Sequence, residues 1–204
     1  MPHANVTELR YCLKDCISYA RSHQDKEYCE VHLPRLVEAL ENLDASITET
    51  DRQWGDYKSE FGQGKMAWKN LAKTVREAQR ELASVDAIGF PDREPQYWIE
   101  EELVALVEQL HEYLEERTDS IDFADRYLTK LETQLDTAES EGTEERDARR
   151  EYSRFVGTRK DAIADCNHVI AGFRESIRRD LGTDHPDYQE IRWAQSVAPD
   201  KSVL

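Results

Sequence analysis

Four residues near the N-terminus have the types and spacing that can bind zinc. Cys12 and Cys16 are one helical turn apart, and Cys29 and His32 follow as a second pair. Thiolate sulfur and imidazole nitrogen are common ligands of tetrahedral Zn²⁺. The chain must turn between the two pairs, because along an unbroken helix Cys16 and Cys29 would be about 20 Å apart. Buried thiols on an apolar helix face are the alternative interpretation.

A second candidate metal site combines Glu108 and His111 with Asp165 and His168. Each pair places an acid three residues before a histidine, the spacing at which one helix can supply two ligands in di-iron carboxylate bundles. A chain reversal near residue 140 would bring the two pairs about level. In a chain with 43 acidic residues the same spacing also arises by chance. The alternative interpretation is that both histidines lie at the surface or at the edge of the apolar helix face and bind no metal.

Motifs of the common enzyme classes are missing from the sequence. It contains no phosphate-binding Gly-rich loop, no nucleophile elbow and no HExxH pattern. We therefore expect a non-enzymatic protein that uses no cofactor.

The elements that position these residues are predicted to be long helices. The chain contains only 8 Gly and 6 Pro, and no glycine precedes Gly55, so few residues disfavour a helix. Leu33-Pro34 predicts a boundary, because the residue before proline avoids helical geometry. The polar stretch 139–147 contains Gly142 and predicts a reversal. The predicted helices span residues 5–31, 34–88, 95–138 and 145–181.

The second predicted helix carries the strongest pattern in the chain. From Leu36 to Val85, alternating steps of four and three residues reach apolar side chains, with Thr50 and Gly64 as exceptions. Trp54, Phe61 and Trp68 share one heptad position in this pattern, and large aromatic side chains are usually buried. We therefore expect all three rings in the core of an elongated antiparallel four-helix bundle with coiled-coil-like packing.

The domain organisation predicted from these lengths is one bundle over residues 1–182 followed by a C-terminal segment, 183–204. This segment contains a short helix and a frayed end. The first helix is too short to cover the whole second helix, so we expect Tyr188, Ile191 and Trp193 to pack into the part that it leaves open.

Composition narrows the possible partners. The chain has 43 acidic and 27 basic residues and a net charge of −16, which repels nucleic acid and anionic membranes. The N-terminus does not resemble a signal peptide, no apolar run has the length of a membrane span, and four cysteines are too few for a disulfide scaffold. These features predict a cytoplasmic protein.

The function predicted from these observations is protein–protein interaction or scaffolding, with a basic protein as one candidate partner and a homodimer as another arrangement. Two alternatives remain open. One is a metal-binding helical bundle, using zinc or a di-iron-like centre. The other is an acidic chaperone or decoy for a basic nucleic-acid-binding protein.

Overall fold

The computed structural model describes residues 3–85 and 87–191, without the side chains of residues 3–5 and 190. Within these ranges the regular elements are α-helices, which confirms the all-α class. They are α1 (His3–Ser22), α2 (Glu27–Ser84), α3 (Glu100–Glu115), α4 (Ala124–Leu181) and α5 (Pro186–Glu190). None of the described helices combines the length and apolar character needed to span a membrane.

The chain divides into two compact units, and α2 and α4 each contribute to both. Unit 1 comprises residues 1–53 and 152–204, and unit 2 comprises residues 54–151. Each unit contains one part of α2 packed against one part of α4, together with a shorter helix. The described residues therefore show two cores built from three main helical segments each, and the predicted four-helix bundle is not observed.

The core of unit 1 is formed by α1, the first part of α2 and the last part of α4. Leu13 from α1, Leu36 from α2 and Phe173 from α4 are fully buried in it. Tyr188 and Ile191 are also buried in this core, and Arg174 Nε donates a hydrogen bond to Tyr188 Oη at 2.8 Å. Tyr188 and Ile191 are thus buried beside α1 and not, as predicted, along the part of α2 that the first helix leaves open. They lie there because α4, which they follow, ends in unit 1. The predicted contact of Trp193 lies outside the described residues.

The core of unit 2 is formed by the last part of α2, α3 and the first part of α4. Leu71 from α2, Leu110 from α3 and Leu131 from α4 are fully buried in it.

The connection between α2 and α3 is held against α2 by polar contacts: Gln79 Nε2 donates to the carbonyl of Pro91 at 2.7 Å, and Arg76 donates to the carbonyl of Pro95 at 3.1 Å.

The first predicted helix boundary is displaced. The chain turns at residues 23–26, where the amide of Lys26 donates to the carbonyl of His23 at 3.0 Å, and α2 continues through Pro34. A proline inside a helix costs about 3 kcal/mol. Cys29 and Leu36 on either side of Pro34 are fully buried, and we attribute the tolerated proline to this packing.

The later boundaries differ more. The predicted helix 95–138 is interrupted at residues 116–123, and the predicted reversal at 139–147 is absent because α4 runs from Ala124 to Leu181 without a break. The side chain of Trp68 lies against Gly142, where an added Cβ would be 3.4 Å from the indole nitrogen. Gly142 therefore serves close helix packing rather than a turn, at a cost of about 1 kcal/mol in helix propensity. By contrast, Gly182 follows α4 with a φ of 83°, which confirms the predicted stop.

The set of buried residues along α2 also differs from the predicted heptad pattern. Leu36, Leu43, Thr50, Gly64 and Leu71 are buried as expected. The positions that alternate with these are shifted by one residue toward the N-terminus in the middle of the helix. Ser46 and Gln53 are therefore buried in place of Ile47 and Trp54. The prediction that Trp54, Phe61 and Trp68 all lie in the core is therefore right only for Trp68.

Candidate functional site

The most unusual surface of unit 2 lies on α2 between residues 54 and 66. Trp54, Phe61 and Met66 are 42%, 45% and 54% exposed, although all three are large and apolar. None of the described hydrophobic residues in this segment belongs to the core of unit 2, which begins at Ala67 and Trp68. Exposed aromatic clusters often mark binding surfaces.

The rings on this surface form a short ladder along α2. The centroids of Trp54 and Tyr57 are 5.6 Å apart, and those of Tyr57 and Phe61 are 6.1 Å apart. Residues three, four and seven apart lie on the same side of a helix, so the helix itself arranges these rings. Tyr57 is half-buried, whereas a little under half of the surface of Trp54 and of Phe61 is exposed. We call Trp54, Tyr57 and Phe61 the aromatic ladder.

The four residues of the predicted zinc site do not come together. Among the described residues, no group of three metal-ligating atoms within 4.8 Å of one another includes any of them. Cys12, Cys16 and Cys29 are reduced and fully buried in the core of unit 1. His32 instead contacts Ser176, with Nε2 and Oγ 3.1 Å apart, and its ring packs on Phe173.

The thiols of unit 1 have the character of core side chains. A hydrogen bond with the Cys12 side chain, together with burial, raises the pKa of Cys16 far above its ordinary value. Burial raises the pKa of Cys29 to about 11 and that of Cys166 to about 12. Metal ligation and nucleophilic chemistry both need the thiolate, so this environment favours a packing role.

The second predicted metal set is divided between the two units. Glu108 and His111 lie on α3 in unit 2, whereas Asp165 and His168 lie on α4 in unit 1. The prediction that they lie level depended on a reversal near residue 140, which the structure does not contain. Glu108 and His111 instead line a groove between α3 and α4 with Glu112, Glu115 and Glu132.

A different group of carboxylates meets where α2 and α4 cross in unit 2. Glu60, Glu141 and Glu144 each place an oxygen within 4.8 Å of the others, the one such group of three among the described residues. One oxygen of Glu60 and one of Glu141 are buried without a hydrogen-bond partner. Nearby, burial and the charge of Glu100 raise the pKa of Glu145. The cluster either strains this contact through like-charge repulsion or accepts a hard cation such as Ca²⁺.

Sequence reasoning missed both features for the same reason. The heptad pattern treats every apolar position as equally covered, but coverage depends on whether a third segment packs there. For the carboxylates, Glu60 is separated from Glu141 and Glu144 by about 80 residues, and only the pairing of α2 with α4 brings them together.

Comparison with known proteins adds no assignment: no family model, curated protein or solved structure matches this chain.

Proposed function

We propose that this protein is a non-enzymatic protein–protein interaction module and that the aromatic ladder of α2 is part of its docking surface. The observation that carries the proposal is the exposure of Trp54 and Phe61 at equivalent heptad positions. A partner that covered these rings would remove apolar surface from water, which contributes about 25 cal/mol per Å². Tryptophan is also among the residues most often found at the energetic centre of an interface.

The structure offers a direct test of this surface. A photo-reactive amino acid at position 61, introduced in cells of the source organism, should cross-link to a defined protein. The same probe at Tyr11, which is 51% exposed on α1, serves as the matched control. A partner captured from position 61 and not from position 11 should then bind the purified protein.

The decisive variant carries Trp54→Ser and Phe61→Ser. Neither ring belongs to the core of unit 2, so the fold should be retained, as circular dichroism checks, while partner binding is lost. Binding of the reconstituted partner that is unchanged in this variant would show that the ladder is not the docking surface.

The carboxylate cluster gives the metal-binding alternative a specific location, although not at the residues predicted from the sequence. If the cluster only strains the helix contact, Glu141→Gln should stabilise the protein by about 0.2–0.5 kcal/mol per relieved like-charge pair. Millimolar Ca²⁺, Mg²⁺ or Mn²⁺ should then leave the melting temperature unchanged. A melting temperature that rises with one of these ions, and no longer does so in the Glu141→Gln variant, would favour a metal-binding function.

A further inference from the structure

The segment of α2 that follows Lys58 differs in charge from the rest of the chain. Residues 61–76 (FGQGKMAWKNLAKTVR) contain no acidic residue, although the whole chain has 43. Four of the nine lysines of the protein lie here or just before it, at positions 58, 65, 69 and 73. A protein with a net charge of −16 thus carries a local basic surface beside its exposed aromatic rings.

These lysines share one side of α2. Their separations of seven, four and four residues keep them within an arc of about 80° at 100° per residue. Lys58 Nζ lies 5.5 Å from the Trp54 ring centroid, Lys65 Nζ lies 5.9 Å from that of Phe61, and Lys69 Nζ lies 5.3 Å from that of Tyr97. We call Trp54, Lys58, Phe61, Lys65 and Lys69 the lysine–aromatic stripe.

Two glycines lie next to the stripe. Gly55 and Gly62 are seven residues apart, and a Cβ added to either would meet no atom within 4 Å. Each disfavours the helix by about 1 kcal/mol relative to alanine, and no packing within the described chain uses the missing side chains. Beside Trp54 and Phe61, about two helical turns apart, they leave open, side-chain-free surface where another backbone can approach closely.

The same face of α2 is covered by polypeptide further along. Arg76 and Gln79 bind carbonyl groups of the returning segment 91–95, and Lys69 lies over Tyr97. Coverage by this segment stops near Lys69, whereas the face itself continues through Phe61 to Trp54. The stripe is therefore the exposed continuation of a surface that already packs against chain.

We propose that the lysine–aromatic stripe binds an acidic amphipathic helix of a partner protein. This inference rests on the proposed function and specifies the chemistry of the partner. Lysines at the spacing of successive helical turns match carboxylates at the same spacing on a facing helix. Trp54 and Phe61 provide apolar anchors, and Gly55 and Gly62 let the backbone of the partner helix approach α2 closely.

Charge argues against the other occupants. Two copies paired antiparallel about position 58 would place Lys58 against Lys58 and bring together two chains of −16 each, and both contacts are repulsive. The phosphates of a nucleic acid could contact these few lysines but would be repelled by the acidic remainder of the protein. At physiological salt, charges further away than about 8 Å are largely screened. An acidic helix bound at the stripe therefore interacts mainly with the nearby lysines and less with the acidic remainder of the protein.

The test is a display library of amphipathic helical peptides selected against the immobilised full-length protein. The apolar stripe of the peptides is held constant, and the flanking positions vary among acidic, neutral and basic residues. Asp and Glu should be enriched at the flanks. The selected peptides should bind at least about tenfold more weakly to the Lys58→Glu/Lys65→Glu/Lys69→Glu variant, which corresponds to about 1.4 kcal/mol, and affinity should fall as salt is raised.

The controls separate this inference from the broader proposal. Trp98→Ser/Lys160→Glu alters an exposed tryptophan and an exposed lysine elsewhere and should leave binding unchanged. Peptides with neutral or basic flanks that still require Trp54 and Phe61 would contradict the acidic partner. They would still support the aromatic ladder as a docking surface. Binders that tolerate Trp54→Ser/Phe61→Ser, or a library that yields none, would overturn both. Light scattering could instead show that the protein is a dimer and that Trp54→Ser/Phe61→Ser makes it monomeric. This result would identify a second copy of the chain as the occupant and would contradict the acidic partner.

Discussion

His32, a predicted zinc ligand, is a partly buried side chain that packs on Phe173 of the unit 1 core. Ser176 Oγ donates its proton to the carbonyl of Gly172 at 3.1 Å, so His32 Nε2 is the donor in its 3.1 Å contact with Ser176 Oγ. His32 Nδ1 is then the unprotonated nitrogen, and it is buried without a hydrogen-bond partner. Burial, with a contribution from the Arg35 charge, lowers the pKa of His32.

This lowered pKa predicts a loss of stability on acidification. Below the unfolded-state pKa of about 6.5 the unfolded chain binds a proton that the native state resists. Stability contributed by neutral His32 is therefore present above about pH 6.5 and is lost as the pH falls below it. Urea unfolding of the native protein and of His32→Asn at pH 7.5 and 5.5 measures the effect, and the variant should lose less stability. An equal loss in both proteins would contradict the assignment.

The buried cysteines are predicted to be chemically inert in the native protein. Their raised pKa values, about 11 for Cys29 and about 12 for Cys166, keep both thiols protonated at pH 8. Native protein should therefore react with a thiol reagent at least about a hundredfold more slowly than protein unfolded in guanidinium. Rapid modification of one or two thiols in the native state would reveal an accessible, activated cysteine and reopen a redox or metal-binding role.

At the scale of the elements, Gly142 distinguishes a continuous α4 from the reversal predicted from the sequence. Alanine favours a helix by about 1 kcal/mol over glycine, and a Cβ at position 142 would make a close contact with the Trp68 indole at 3.4 Å. Gly142→Ala should therefore raise the free energy of unfolding by up to about 1 kcal/mol.

The matched control is Gly157→Ala in the same helix, where no atom lies within 4 Å of the added Cβ. It should stabilise the protein by a similar amount, about 1 kcal/mol. Chemical unfolding measures both variants. A clear loss of stability in Gly142→Ala, beside a gain in Gly157→Ala, would show that the contact with Trp68 does not accommodate a Cβ and that its cost exceeds the gain in helix propensity.

Helix type was predictable for most of the chain, but apart from the stop at Gly182 most helix ends were not. Pro34 and the polar, glycine-containing stretch 139–147 resemble boundaries because both disfavour a helix locally. Each disadvantage is only about 1–3 kcal/mol, and we attribute the unbroken helices to burial of neighbouring side chains such as Leu36 and Trp68. The real turn at residues 116–123 was missed because Leu114 and Ile121, seven residues apart, fit one uninterrupted helical pattern.

At the scale of the whole molecule, the two cores can be perturbed separately. Leu13 is fully buried in unit 1 and Leu110 in unit 2. Replacing either with alanine should cost about 2–5 kcal/mol, from lost burial and the cavity that remains. Hydrogen exchange measured peptide by peptide should show the larger increase within the unit that carries the substitution.

Both variants share α2 and α4, so each serves as the control for the other. Increases of the same size in both units for both variants would show that the chain opens as one cooperative structure. In that case the division into two units would describe packing but not stability.

Local patterns in the chain were sufficient for the helical class and the stop at Gly182. They also indicated that Tyr188 and Ile191 are buried, but not in which of the two cores. Apolar spacing and glycine conformation act over a few residues, so they can be recognised without knowing the neighbours. Tertiary packing alone decided which aromatic rings are covered, which carboxylates meet and which cysteines lie apart. Trp54 and Trp68 occupy the same heptad position, yet only Trp68 has α3 and Gly142 beside it. That difference arises because burial depends on the segment across from a residue rather than on the residues next to it in the chain.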